Sequence, residues 1–168
     1  MTPNRLTTAI MLAASLLLTA ACQAQSGDDT ARQPAVSAAH EMTVYHDPQC
    51  GCCGKWVKHM EENGFLVEAV PTSDMNRIKN ELGIPRELPS CHTAVVGDYV
   101  IEGHVPADDV LRLLTEQPQA RGLSVPGMPL GSPGMEVGER RAAYKVFLFD
   151  DAGNPRVFSQ YDAITGER

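Results

Sequence analysis

Three things are missing from this 168-residue sequence. It has no apolar run of the ~20 residues a membrane-spanning helix needs; its N-terminal run, residues 9–21, goes thirteen residues without a charge. It has no basic excess, since 14 Lys and Arg against 21 Asp and Glu leave a net charge of −7. That balance argues against nucleic acid, whose binding needs clustered cations to displace counterions. It has no internal repeat, so the chain reads as one domain around one core. Cysteine is also sparse, with five in all, yet three of the five fall within residues 50–53.

The short apolar run suits export. Arg5 gives a positive start and residues 9–21 are rich in Leu and Ala, the pattern of a signal peptide. The run ends Leu18-Thr19-Ala20-Ala21-Cys22, small residues directly before a cysteine. This resembles a bacterial lipobox, in which Cys22 would be acylated and become the mature N-terminus. Cleavage after Ala24, discarding Cys22, is the alternative. The expected layout is a lipoprotein-type signal peptide over residues 1–21, a flexible tether over 22–41 with little to bury, and a folded domain over 42–168. The expected location is the periplasm of a Gram-negative bacterium, with the membrane reached only through the lipid.

Residues 42–46 alternate with β-branched and aromatic side chains, a short strand that Asp47-Pro48 ends. From Gly54 a helix is expected, with Trp56, Val57 and Met60 at helical spacing and Asn63-Gly64 as its stop. Residues 65–70 read as a second strand. Met75, Ile78 and Leu82 mark a second helix that Gly83 and Pro85 close. Residues 93–96 and 99–102 read as a hairpin through Gly97-Asp98. Pro106 opens a third helix, with Asp108 and Asp109 at its electropositive end. Residues 117–137 form a Pro/Gly-rich loop holding Met128 and Met135, and residues 144–149 and 156–161 form an added hairpin. The class is α/β, and the core order β-α-β-α-β-β-α resembles a thioredoxin fold, whose redox cysteines sit in the first strand-to-helix loop.

Cys50 and Cys53 make a C-x-x-C, the spacing of thiol-disulfide oxidoreductases, where a helix N-terminus stabilises a thiolate. Cys52 adds C-x-C and C-C to the same four residues. Adjacent ligands fit a tetrahedral zinc site awkwardly; bunched thiolates suit soft ions shared between sulfurs, and Cu(I) above all. Cys91, in the turn before the hairpin, would face this cluster in a thioredoxin-like core, giving four sulfurs in one pocket. Two structural disulfides are the plainer alternative. His92 and His104 either bind the ion or hold a ligand in place. Met128 and Met135 are either thioether ligands or hydrophobic plugs. His46 and His59 read as ordinary strand and helix positions, His40 falls in the tether, and Trp56 should pack beside the site.

Four motifs, Cys50-Gly-Cys-Cys-Gly-Lys-Trp56, Leu88-Pro-Ser-Cys-His-Thr-Ala94, Glu102-Gly-His-Val-Pro106 and Val125-Pro-Gly-Met-Pro-Leu-Gly-Ser-Pro-Gly-Met-Glu136, together resemble the CopG-like copper-resistance family. The resemblance implies a thioredoxin-like fold, a periplasmic location, and copper held by Cys50, Cys52, Cys53 and Cys91 as one ion or several. It also implies a place in copper efflux, with an oxidoreductase role open. The functions weighed are Cu(I) capture for copper resistance, thiol-disulfide exchange with incidental metal binding, and a disulfide-stapled interaction module. Cys52 and Cys91 favour the first, because a dithiol mechanism needs only two sulfurs.

Overall fold

A computed structural model describes residues 40–166. The signal-peptide segment, Cys22 and residues 22–39 of the expected tether lie outside the described residues. Among the described residues no helix is long and apolar enough to cross a membrane.

One seven-stranded sheet runs through the domain, in the order β2-β1-β3-β4-β5-β6-β7. β1 (His40–His46) starts two residues before the expected boundary, because its pairing with β2 (Phe65–Pro71) begins at His40↔Phe65. That parallel pair is joined through α1 (Gly51–Glu62). α2 (Met75–Glu81) then leads to β3 (His92–Val96), antiparallel to β1, and β3 turns tightly into β4 (Tyr99–Glu102). α3 (Ala107–Glu116) crosses to β5 (Gly122–Ser124), parallel to β4.

β5 corrects the expectation of an unbroken loop over residues 117–137. Its three residues show no hydrophobic period, and their strand is imposed by neighbours on both sides. Gly122 sits where any Cβ would overlap the Val100 backbone. β6 (Tyr144–Phe149) and β7 (Pro155–Tyr161) do form the expected hairpin, but β6 pairs with β5 and so extends the main sheet.

Strand alternation divides the apolar side chains between two faces. Ile101, Val146 and Leu148 join Trp56 and Met60 of α1 and Val110 and Leu113 of α3 in the larger core. Val100 and Phe149 face the other way, with Leu88, Leu82 and Ile84. Asp109 does more than complement the helix dipole. It is 4% exposed and accepts hydrogen bonds from Tyr161 Oη at 2.8 Å and from Ser159 Oγ, with Arg112 Nη2 at 3.2 Å. Arg112 also lies over the Phe158 ring, 3.6 Å from its centroid. These contacts fasten the hairpin to α3.

Candidate metal centre

The sheet register brings the site together. His46 pairs with His92, so the loop leaving β1 and the turn entering β3 emerge side by side at one sheet end. β4 leaves towards the same end, carrying His104 with it. At the β1 exit, the Asp47 carboxylate accepts from Gln49 N at 2.8 Å and its carbonyl from Cys50 N at 3.0 Å, a turn that delivers Cys50 to the helix start.

The helix starts at Gly51, three residues before the position expected from Gly54, because Cys50 acts as its N-cap. Its Sγ accepts from Cys53 N at 3.3 Å, a role usually taken by Ser, Thr, Asp or Asn. Cys52 and Cys53 are therefore on the helix: Cys53 turns inward and is fully buried, while Cys52 stays half-buried.

Cys50 and Cys53 are joined by a disulfide, and Cys52 and Cys91 are free thiols, so there is one bridge and not two. Cys52 Sγ lies 3.4 Å from Cys50 Sγ and 3.9 Å from Cys91 Sγ, and Cys53 Sγ lies 3.6 Å from Cys91 Sγ. All four sulfurs fall within 4.8 Å of one another, an arrangement able to hold a metal ion.

Cys91 is the hub. His104 Nε2 stands 3.1 Å and His92 Nδ1 3.3 Å from its sulfur. His104 Nδ1 donates to the Pro133 carbonyl at 2.8 Å, which leaves the Nε2 lone pair directed at Cys91. Burial lowers the pKa of His104. It holds His92 well below the ordinary histidine value, with His104 and Lys79 adding to the effect. Both imidazoles are thus neutral, the form that ligates metal. Burial, with Cys52 close by, pushes the Cys91 thiol up to about 12; a soft cation is the partner that would draw its proton off.

The surroundings are closely fitted. The His92 ring lies 4.5 Å from the Trp56 ring and edge-on to His104 at 4.9 Å, and His92 Nε2 is buried without a hydrogen-bond partner. Trp56 is buried as expected, donating Nε1–H to the Val105 carbonyl at 2.8 Å. Gly134 presses on α1, where a Cβ would come 2.8 Å from the Cys52 carbonyl oxygen. Met135, next in that loop, is half-buried; Met128 is 53% exposed, beyond Gly127, which is tied to Pro89 and Ser90.

His46 donates to the Asp47 carbonyl at 2.9 Å and belongs to neither group of side chains placed to hold a metal ion. His59 is more than an ordinary helix position, because its Nε2 accepts the Ala107 N–H at 3.1 Å and caps α3. Sequence reasoning also passed over Lys79, Ser90, Thr93 and Glu102, a polar cluster beneath the Cys91 turn in which Thr93 and Glu102 are buried and Lys79 and Ser90 partly so. A carboxylate closing the apolar run Tyr-Val-Ile-Glu102 was the signal available.

A family model described as "Protein of unknown function, DUF411" matches residues 88–135, from the Cys91 turn to Met135. A solved structure named "Copper resistance protein copG- Form 1" shares 44% identity, covering 74% of this chain and 98% of that one, with a TM-score of 0.71. Its Form 2 shares 45% identity over 73% of this chain and 98% of that one, with a TM-score of 0.70. No curated protein matches.

Proposed function

We propose, from the premise that this chain belongs to the CopG-like copper-resistance family, that it captures Cu(I) through Cys50, Cys52, Cys53 and Cys91 for copper resistance. The observation that carries the reading is the packing of four sulfurs within 4.8 Å of one another. Thiolates this close can bridge soft ions, and Cu(I) accepts such sulfur-rich, low-coordination sites. Copper is cargo here, as one ion or several. His104 Nε2 is the nitrogen placed to join the sulfurs and His92 the next; Met128 and Met135 are the candidate thioethers of the covering loop. Full capture first requires the Cys50–Cys53 disulfide to take up two electrons and two protons from a thiol reductant. Each thiol that becomes a thiolate ligand then releases one proton.

The same reading makes the fold thioredoxin-like, with the thiols at its first strand-to-helix turn. It places the protein in the periplasm, held by a lipid on Cys22 and passing copper to an efflux system.

A second reading, a thiol-disulfide oxidoreductase, is favoured by the disulfide at a helix start. The two free thiols Cys52 and Cys91 weigh against it, because a dithiol mechanism needs only two sulfurs. Anaerobic Cu(I) titration of the reduced protein, read by native mass spectrometry, tests the first reading. Wild type should retain copper and a Cys52→Ala/Cys91→Ala variant should lose most of it. Equal binding by the two proteins, or none by wild type, sinks capture; turnover of a disulfide substrate by the variant would establish the second reading.

A further inference from the structure

The Cys91 turn rests on charged groups that sulfur chemistry does not use. Glu102 is fully buried at the end of β4, and Lys79 of α2, its side chain 12% exposed, reaches Glu102 Oε1 at 2.5 Å. The same oxygen accepts the Ser90 N–H at 2.5 Å, while Oε2 accepts the Thr93 hydroxyl at 2.6 Å. Lys79 Nζ completes the ring by donating to Thr93 Oγ1 at 2.9 Å. These contacts converge on the chain around the hub sulfur: Ser90 directly precedes Cys91, Thr93 follows two residues later, and Glu102 lies two before His104.

Stability alone does not call for this arrangement. Well-packed apolar residues often replace a buried ion pair at no loss. An apolar pair could not, however, accept the Ser90 amide. That amide belongs to the Pro89–Ser90 peptide, so holding it fixes the chain one residue before Cys91 and, through Ser90, the course on which Cys91 is delivered. Gly103 makes the fit tight, since a Cβ there would fall on the Ser90 side chain.

We propose that Glu102, its carboxylate held by Lys79, is the positioning residue that sets Cys91 Sγ between Cys53 Sγ and His104 Nε2. This rests on the Cu(I)-capture reading. Glu102 acts through the Ser90 amide, while the three sulfurs of residues 50–53 are set by their own helix.

The test compares wild type with Glu102→Gln/Lys79→Met, Glu102→Leu/Lys79→Met and Glu102→Asp. The Gln variant removes both charges but keeps a carbonyl for Ser90. The Leu variant keeps the volume and removes the acceptor, and Asp keeps the charge but falls one methylene short. Two readouts are taken on folded protein: alkylation of Cys91 by iodoacetamide with the Cys50–Cys53 disulfide intact, and Cu(I) affinity after reduction. The Gln variant should stay within about twofold of wild type. The Leu and Asp variants should alkylate about tenfold faster and bind Cu(I) about tenfold more weakly, the scale of one hydrogen bond to a charged group. Wild-type alkylation and copper affinity in the Asp variant, or in a folded Leu variant, overturn the proposal. If wild type binds no Cu(I), the capture reading fails instead, and the metal-free alkylation still decides whether Glu102 positions the thiol.

Discussion

The two halves of the thiol site are built in opposite ways. Cys50, Cys52 and Cys53 come from four consecutive residues at an open helix start, where Gly51 and Gly54 have nothing within 4 Å of a Cβ. Cys91 comes from a turn enclosed by β4, α2 and the covering loop. Glu102 accepts the Ser90 amide, Ser90 Oγ donates to the Gly127 carbonyl, and Gly127 N–H returns to the Pro89 carbonyl. Local spacing is enough to bunch three sulfurs. Bringing in the fourth takes long-range contacts, so the enclosed half should be far less tolerant of change.

The strongest way to break that contrast is Gly103→Ala. Gly103 has φ of +73°, and a Cβ would fall on Ser90 and come 2.7 Å from the Val125 carbonyl oxygen. Left-handed strain and overpacking together should cost about 3 kcal/mol in urea unfolding, with Cu(I) affinity falling in parallel. A near-neutral result would mean that the Cys91 turn is soft, and the contrast would collapse.

A smaller effect concerns His59, which ties α1 to the start of α3 three residues beyond His104. Burial lowers its pKa, against the raising influence of Glu136, Asp108 and Glu62. As pH falls through 6.5 the unfolded chain therefore takes up the proton before the folded one, and the contribution is lost below that point. Urea midpoints measured from about pH 7.5 to about pH 5 should fall more steeply for wild type than for His59→Gln. Parallel curves would remove His59 from the account.

The smallest change is Gly54→Ala, in open space inside α1. It should raise stability by about 0.5–1 kcal/mol and leave Cu(I) stoichiometry unchanged. A loss of copper would show that the open half is more constrained than its surroundings indicate.

Much of the fold was legible because its elements punctuate themselves. Asp47-Pro48 ended β1, Asn63-Gly64 ended α1, and Gly97-Asp98 turned β3 into β4. β5 was not legible, since Gly122–Ser124 carries no period and exists as a strand only between β4 and β6. The true start of α1 was hidden because a cysteine serves as its cap. Of the site, Cys50, Cys52, Cys53 and Cys91 were marked by residue type and spacing, and His104 and His92 by adjacency to motifs. Lys79 reads in sequence as an ordinary exposed cation of a helix's last turn, and only its reach to Glu102 gives it a task.

Sequence alone determined the chemistry on offer, because soft donors are a property of residue type and three of them are locked together by four residues of chain. Tertiary structure alone decided which groups surround the fourth sulfur. The pairing of His46 with His92 set the two loops side by side, Pro133 chose the His104 tautomer, and the Lys79–Glu102 pair anchored the turn. Each of these joins residues 12 or more apart in sequence, where no local periodicity can report them.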